Sequence, residues 1–174
     1  MKYLKSQHRQ ISTETLYNYV KYCEESCLLL PVPRFDVKGK ALLAMQGKVY
    51  IADHGFRQML FGNNEASIEQ VLENIVAVEL LRRGWKISVG VGEKNENDFV
   101  ATRNKETHYF QVTYLMPSRE TTEREFQALL SVKDNFPKTV LSLDEFDFSR
   151  DGIEHKNLIN FLLQDNYILS SILR

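Results

Sequence analysis

Residues 67–84 read SIEQVLENIVAVELLRRG, and this stretch decides the interpretation of the fold. Ser67 is a residue type that caps helix starts, and Gly84 is one that ends helices in a left-handed conformation. Between them, apolar residues recur at intervals of three and four positions, which is the spacing of one helix face. This stripe consists of Ile68, Val71, Leu72, Ile75 and Val76. We therefore predict a helix over residues 67–84 with one face directed at a core.

Three strands are predicted directly after this helix, with the sequences WKISVGV (85–91), NDFVAT (97–102) and THYFQVTY (107–114). The gaps between them are short and polar, which is typical of antiparallel neighbours. Beyond them the pattern predicts a helix at 121–134, a strand at 138–143 and a closing helix with an extended start. This order of elements predicts an α/β or α+β domain, with a mixed sheet flanked by helices.

The residues before this domain form a separate segment in the same interpretation. STETLYNYVKYCEES (12–26) predicts a helix, KVYIAD (48–53) a short strand, and FRQMLFG (56–62) a short helix. Two prolines in CLLLPVPRF confine that run to an edge strand or an extended arm, and we expect it to pair with KVYIAD as a hairpin. A loop after Gly62 then divides the chain into residues 1–63 and residues 64–174.

The composition is that of an ordinary globular protein and excludes a disordered tail or a coiled coil. Of 174 residues, 43% are hydrophobic and 26% are charged, and the net charge of -1 argues for neither nucleic acid nor a membrane. No apolar run reaches membrane-spanning length, and the first residues lack the apolar core of a signal peptide. We therefore expect a cytoplasmic protein without membrane contact, in which Cys23 and Cys27 remain reduced.

Polar side chains interrupt the second and third predicted strands. Asp98 is the only charge inside NDFVA, and strict alternation puts it on one face with Val100. Gln111 and Thr113 share a face of the next strand. Oxygen atoms that converge at a sheet edge beside a helix carboxylate suit a hard cation such as Mg²⁺. Two alternatives remain open: Asp98 is a hydrogen-bonded structural carboxylate, or Gln111 and Thr113 are exposed positions of a half-buried strand.

The predicted helix contributes two candidate carboxylates. Glu79 falls inside the apolar stripe near its end, where a carboxylate needs either a partner or a metal. Pairing with a nearby arginine is the alternative to a chemical role for this residue. Glu73 lies on the flank of the stripe, close to Ala77 and Leu80.

The succession of LEN-IV-A-VELLRRG, NDFVA and QVTY resembles the PD-(D/E)XK nuclease superfamily. More narrowly, the chain resembles the C-terminal domain of unknown function that follows the ATPase domain in bacterial and archaeal AAA-type P-loop ATPases. The blocks STETLYNYVKYCEES, VPRFDVKGK, KVYIADHGFRQMLFG and ETTEREFQALLSVKDNFPKTVLSLDEF, with the later INFLL, extend this resemblance over nearly the whole chain.

The resemblance implies a restriction-endonuclease-like domain over residues 64–174 and a partial winged-helix-like element, acting as an adapter, over residues 1–63. It places four residues at the catalytic positions, namely Glu73, Asp98, Gln111 and Thr113. Three of them, Asp98, Gln111 and Glu73, would be the ligands of Mg²⁺. In a winged-helix-like element the candidate nucleic-acid contacts are Lys21, Arg34, Lys38 and Lys40.

The sequence departs from these families in two respects. The pattern G-x-x-x-x-G-K-[ST] is missing, so we expect no ATP bound by this chain itself. The superfamily's Glu-x-Lys is replaced by Gln111-Val112-Thr113, and a threonine cannot supply the charge with which lysine stabilises a phosphate. A cation from elsewhere would have to replace it, and the candidates near in sequence are Lys94, Lys105, Arg119 and Arg124.

These departures favour an accessory module of an AAA-type ATPase that recognises nucleic acid or a protein partner without cutting. The ATPase domain, in the same or another chain, is then the expected partner, and DNA is a further candidate. The alternative function is a Mg²⁺-dependent DNA endonuclease. A third is a dimerising interaction module, which exposed apolar residues in VPRF or ILSSIL would favour.

Overall fold

A computed structural model describes residues 12–44, 47–62, 68–92 and 95–164 of the chain. Five helices lie within these residues: α1 (Thr13–Glu25), α2 (His54–Phe61), α3 (Ile68–Arg82), α4 (Arg119–Leu130) and α5 (Leu158–Leu163). The predicted ends of two helices are confirmed. The Ser12 hydroxyl accepts a hydrogen bond from the Thr15 amide at the start of α1, and Gly84, with φ +79°, follows the end of α3. The predicted cap Ser67 lies outside the described residues.

Nine strands accompany these helices: β1 (Leu29–Val32), β2 (Arg34–Asp36), β3 (Ala41–Leu42), β4 (Lys48–Ile51), β5 (Lys86–Val91), β6 (Glu96–Arg103), β7 (Glu106–Val112), β8 (Lys138–Ser142) and β9 (Glu154–Asn157). Seven of them form one mixed sheet in the order β3-β2-β5-β6-β7-β8-β9. Strands β5, β6 and β7 are consecutive antiparallel neighbours, as predicted, and β8 runs parallel to β7. The mixed sheet flanked by helices is therefore confirmed.

Each face of the sheet carries its own apolar core. On one face, buried residues of α3 pack with those of β5, β6 and β7, and the central members are Val76, Leu80, Val89, Phe99 and Phe110. On the other face, α4 covers the sheet, and the central members are Val100, Tyr109, Phe126, Leu129 and Val140. Successive residues of a strand point to opposite faces, so Phe99 and Val100 belong to different cores. Each side chain of the sheet therefore points to one of the two cores or lies at the edge of the sheet.

The segment before residue 64 is attached to this sheet in two ways. Strand β2 pairs in parallel with β5, with Arg34 opposite Val89. Strand β1 pairs antiparallel with β4, as predicted, but the two do not form a hairpin, because β2 and β3 lie between them in sequence and join the larger sheet. Val32 and Tyr50 are buried in the core on the α3 side. Pro31 lies in this two-stranded sheet, where both strands are edges. The boundary between residues 1–63 and 64–174 and the winged-helix-like and restriction-endonuclease-like interpretations stay predictions.

None of the helices in the described part of the chain combines the length and the apolar character that crossing a membrane requires.

Candidate functional site

A β-bulge sets the direction of Asp98. Ser88 pairs with Val100 while Gly90 pairs with Asn97, so β6 uses three steps where β5 uses two. The extra residue interrupts the alternation of faces, and bulges of this kind re-aim a side chain. Val100 packs on the α4 side, whereas the Asp98 carboxylate reaches Lys48, a residue of the α3 side. The expectation that Asp98 and Val100 share a face is therefore wrong, because it assumed a regular strand.

Asp98 and Gln111 bridge the adjacent strands β6 and β7 with their side chains. The Val112 amide donates a hydrogen bond to Asp98 Oδ2 at 2.9 Å, and the Asp98 amide approaches Gln111 Oε1 at 3.4 Å. The Gln111 side-chain amide donates at 3.2 Å to Glu125 Oε2, on α4. The amide is thus oriented with its oxygen towards Asp98 and its nitrogen towards Glu125. Of the two polar residues of β7 expected beside Asp98, Gln111 therefore contacts it, whereas the Thr113 hydroxyl makes no hydrogen bond to it.

Glu73 approaches the same site from α3 through a cation that the sequence analysis did not consider. Lys48 Nζ lies 2.6 Å from Glu73 Oε1 and 3.7 Å from Asp98 Oδ1. The Tyr50 hydroxyl donates a second hydrogen bond to Glu73 Oε1, at 2.5 Å. Lys48 and Tyr50 are two positions apart on β4, so the period of a strand puts both on one face. Glu73 and Asp98 are therefore held together by one lysine between them.

The site is only partly closed to solvent. The side chains of Asp98, Glu73 and Lys48 are 15%, 17% and 31% exposed. Lys48, Tyr50 and Glu73 also line a cleft of about 500 Å³ beside α3, together with Leu29, Val49, Ile51, Arg57, Gln70 and Asn74. Of the residues around Asp98, Lys48 and Glu73 are therefore the ones that a ligand in this cleft would meet.

The charges around Asp98 change its acidity. Burial, and then the neighbouring charge of Glu73, raise the pKa of Asp98 to about 7, although the Val112 amide and Lys48 act in the opposite direction. The pKa of Lys48 is also raised, because the attraction of Glu73 and Asp98 outweighs the burial that lowers it. Burial and the charge of Glu73 raise the pKa of the Tyr50 hydroxyl, so Tyr50 remains a hydrogen-bond donor. The site thus holds a carboxyl group whose ionised form lacks full compensation.

The donor set fits a hard divalent cation. Carboxylate and amide oxygens, such as those of Asp98, Glu73 and Gln111, are the ligands that Mg²⁺ takes in proteins. A cation beside Asp98 would supply the compensation that its raised pKa shows to be missing. In the described part of the chain, however, no three histidine, cysteine or acidic side chains form a preformed metal-binding group. Any ion held here would thus combine few protein ligands with water or a ligand's oxygens.

Thr113 and Glu79 stand apart from this cluster. Thr113 is 1% exposed, and its hydroxyl has no hydrogen-bond partner among the described residues. Glu79 accepts hydrogen bonds from Arg82 and Arg83, at 2.7 and 2.6 Å, which is the arginine pairing left open by the sequence. Burial acts to raise the pKa of Glu79, but these two arginines lower it overall. The structure thus links Glu73 and Asp98 through Lys48, places Gln111 against the Asp98 backbone from the α4 side, and assigns Glu79 to an ion pair.

Of the cations near in sequence, Arg124 is joined to Gln111 through Glu125. It pairs with Glu125 Oε1 at 2.7 Å, and Glu125 Oε2 accepts from the Gln111 amide. Arg119 pairs with Glu123 instead. Lys105 occupies the turn between β6 and β7, and Lys94 lies outside the described residues. Lys48 was missed because its partners are 25 and 50 positions away, and no local pattern reports a contact at that distance. The only local signal is the sequence Lys48-Val49-Tyr50, which places two side chains with polar ends on one face of β4.

The four predicted nucleic-acid contacts are spread over the segment before residue 64. Lys21 pairs with Glu25 on α1 at 3.6 Å, and Arg34 pairs with Glu96. The Lys40 ammonium lies 5.5 Å from the centre of the Phe136 ring. Lys38 and Lys40 line a second cleft, of about 520 Å³, together with Lys133 of the loop after α4. Their role in nucleic-acid binding stays a prediction.

Comparison with known proteins finds relatives but no assigned activity. The chain is 35% identical over 162 residues to an uncharacterized protein of Haemophilus influenzae, a match that covers 92% of this chain and 40% of that protein. It is 30% identical over 157 residues to an uncharacterized protein of Methanocaldococcus jannaschii, covering 87% of this chain and 34% of that one. The chain therefore spans less than half the length of these curated relatives. No protein-family model and no solved structure matches the sequence significantly.

Proposed function

We propose that this chain is an accessory module of an AAA-type P-loop ATPase, and that it recognises nucleic acid through a nuclease-like site around Asp98. The observation that carries the proposal is that Lys48 bridges the carboxylates of Glu73 and Asp98 at the edge of a partly open cleft, with Gln111 against the Asp98 backbone. Oxygen ligands with an adjacent cation are suited to a phosphate group and its divalent counter-ion.

The order of the elements supports this architecture. Helix α3, the antiparallel strands β5, β6 and β7, helix α4 and the parallel strand β8 follow one another in the way that the resemblance to PD-(D/E)XK nucleases implies. Both curated relatives extend well beyond the matched segment, which leaves room in them for an ATPase domain. If the protein does not bind DNA in the experiment below, a protein partner is the interpretation that remains for an accessory module.

Recognition without cutting is favoured by the two altered positions. Gln111 offers a neutral oxygen where the superfamily pattern has a carboxylate, so a cation is held with one negative charge fewer. Thr113 is buried, its hydroxyl has no hydrogen-bond partner among the described residues, and it carries no charge that would stabilise a reacting phosphate. A weakened cation site without the motif lysine is better suited to binding a phosphate backbone than to hydrolysing it.

Metal-dependent cleavage of DNA is the second candidate, and the position of Lys48 favours it. Asp98 and Glu73 would hold the cation, Gln111 would add an oxygen, and Lys48 would face the phosphate. When bound, a divalent cation supplies an activated water and polarises a phosphate oxygen. The bulge at Asp98 keeps its carboxylate directed at the α3 side, where the cleft opens.

One experiment tests both candidates. Plasmid and single-stranded DNA are incubated with the protein and Mg²⁺ or Mn²⁺, and binding and cleavage are recorded side by side. The Asp98→Ala variant is compared with wild type, and Asp147→Ala, which removes an exposed carboxylate far from the site in sequence, is the matched control. Binding that is lost only in Asp98→Ala supports recognition, and cleavage lost with it supports the endonuclease. Neither activity in wild type refutes both.

A further inference from the structure

We propose that Lys48, on strand β4, is the residue of this site that contacts a phosphate group of the bound nucleic acid. This inference rests on the proposed function, because it takes the site around Asp98 as the place where nucleic acid binds. Lys48 would supply the positive charge that the superfamily pattern takes from its lysine and that Thr113, at that position, does not carry.

The geometry leaves Lys48 able to bind a further anion. Its ammonium has three donors, and the described contacts are to Glu73 Oε1 at 2.6 Å and, more loosely, to Asp98 Oδ1 at 3.7 Å. The side chain is partly exposed and lines the cleft of about 500 Å³. A phosphate oxygen in the cleft would therefore meet an ammonium donor that is already positioned.

The position of Lys48 is fixed by its surroundings. Strand β4 pairs with β1 over four residues. It is also joined to α3, because the Asn74 side chain makes two hydrogen bonds to the backbone of Ile51. Tyr50 shares the acceptor Glu73 Oε1 with Lys48 and so keeps Glu73 in place from the neighbouring position of the same strand face. A lysine whose partner is itself held loses less freedom when it binds a phosphate than a solvated surface lysine does.

The charge at the site also requires such a cation. Lys48 is the cation between Glu73 and Asp98, whereas the nearby carboxylate of Glu125 is paired with Arg124. A phosphodiester brings a further negative charge to this cluster. Without Lys48 the phosphate would depend on the divalent cation alone to offset repulsion from Asp98 and Glu73.

The test measures DNA affinity by fluorescence anisotropy with a labelled duplex and a labelled single strand. Ca²⁺ replaces Mg²⁺, because it takes the same oxygen ligands and lets binding be followed apart from cleavage. The variants are Lys48→Gln, which can still hydrogen-bond Glu73, and Lys48→Arg, which keeps the charge. Lys86→Gln is the matched control, because it removes the same charge at the exposed first residue of β5. Urea unfolding of each variant confirms that it is folded.

We expect Lys48→Gln to weaken binding about tenfold, and to lower the slope of log K against log salt by about 0.9 for a duplex, or about 0.7 for a single strand, which is the loss of one phosphate contact. Lys48→Arg retains most of the affinity, and Lys86→Gln binds like wild type. Equal affinity and equal salt slope for wild type and Lys48→Gln overturn the inference but leave the proposed function standing. Equal losses for Lys48→Gln and Lys86→Gln also overturn it, because they show a general charge effect. Absence of binding by wild type refutes the proposed function itself.

Discussion

The side chain of Asn74 and the backbone of Ile51 exchange two hydrogen bonds, each 2.8 Å long. The Asn74 carbonyl oxygen accepts from the Ile51 amide, and its NH₂ group donates to the Ile51 carbonyl. A helix side chain thus pairs with β4 as a neighbouring strand would. Because Asn74 follows Glu73 directly, this pair also fixes the register in which Lys48 and Tyr50 meet that carboxylate.

Substitution of Asn74 by alanine should therefore disturb both stability and the site. Asn74 is buried, and its loss leaves the Ile51 amide and carbonyl without partners, at a cost of about 1–3 kcal/mol. Urea unfolding of Asn74→Ala measures this cost, and Gln70→Ala, on an exposed position of the same helix, is the control. A difference below a few tenths of a kcal/mol between the two variants would show that β4 is not held by Asn74.

Glu79 should contribute stability that depends on pH. Its pKa lies below the ordinary 4.5, because the hydrogen bonds from Arg82 and Arg83 outweigh the effect of burial. A carboxyl group whose pKa is lowered by folding stabilises the protein above its unfolded pKa and loses that contribution as the pH falls through the folded value. We expect Glu79→Gln to lower the free energy of unfolding by about 1 kcal/mol at pH 7, since Arg82 is half exposed. This difference should shrink below about pH 4.5, and an unchanged difference at pH 3 would contradict it.

Asp98 should show the opposite dependence. Burial and the charge of Glu73 raise its pKa from 3.8 to about 7, so the folded state binds the proton more tightly than the unfolded state. Stability is then lost as the pH rises from about 4 to about 7 and changes no further above that range. Asp98→Asn should flatten this part of the curve of stability against pH. Carboxyl ¹³C resonances, assigned with the help of this variant, report the pKa directly. Added Mg²⁺ should lower that pKa, and a titration midpoint near 4 without Mg²⁺ would sink the prediction.

Restoring a carboxylate at position 111 should strengthen cation binding at the expense of stability. Gln111→Glu removes the donor to Glu125 and brings a further negative charge towards Asp98. We expect a lower melting temperature in EDTA and a larger rise of that temperature with Mn²⁺ than in wild type. The control is Gln127→Glu, at an exposed position of α4. A rise with Mn²⁺ that is equal in both variants would exclude Gln111 from the cation site.

Thr113 should prove dispensable. Its hydroxyl is buried without a hydrogen-bond partner among the described residues, so replacing it by the isosteric valine removes a polar group that gains nothing from folding. We expect Thr113→Val to leave the free energy of unfolding unchanged or raised by up to about 1 kcal/mol, and to leave DNA binding as in wild type. Thr113→Ser tests the hydroxyl without the methyl group. Loss of binding in Thr113→Val, with binding kept in Thr113→Ser, would assign a function to this hydroxyl after all.

Local patterns predicted the elements of this fold well. The apolar spacing of α3, the short gaps between β5, β6 and β7, and the glycine after α3 are all signals contained within a few neighbouring residues. Tertiary contacts did not override the local backbone preferences that these signals express. The placement of Glu73, Asp98 and Gln111 at one site came from the resemblance. In the structure Lys48 bridges Glu73 and Asp98, and Gln111 contacts the Asp98 amide.

The remainder of the site depends on information that a local pattern lacks. The bulge at Asp98 shifts one residue of a strand whose sequence reads as regular, and it is visible only in the pairing of β5 with β6. Lys48 and Glu125 belong to elements 50 and 27 positions from Asp98, and nothing in either stretch indicates which strand it will face. Glu79 could be assigned to its arginines only once their hydrogen bonds were seen.

The parallel pairing of β2 with β5 affects how the chain folds as it is made. Arg34 leaves the ribosome 55 residues ahead of Val89, its partner in the sheet. Throughout that interval β2 has no neighbouring strand on that side. We expect this pairing, which closes a long loop, to form more slowly than the local pairings of β5, β6 and β7. Strand β5, in turn, remains an open edge until β2 docks, and an open edge invites pairing with another chain. Nascent chains should therefore be most prone to aggregation, and most in need of chaperones, while the sheet still lacks β2 and the strand β3 that pairs with it.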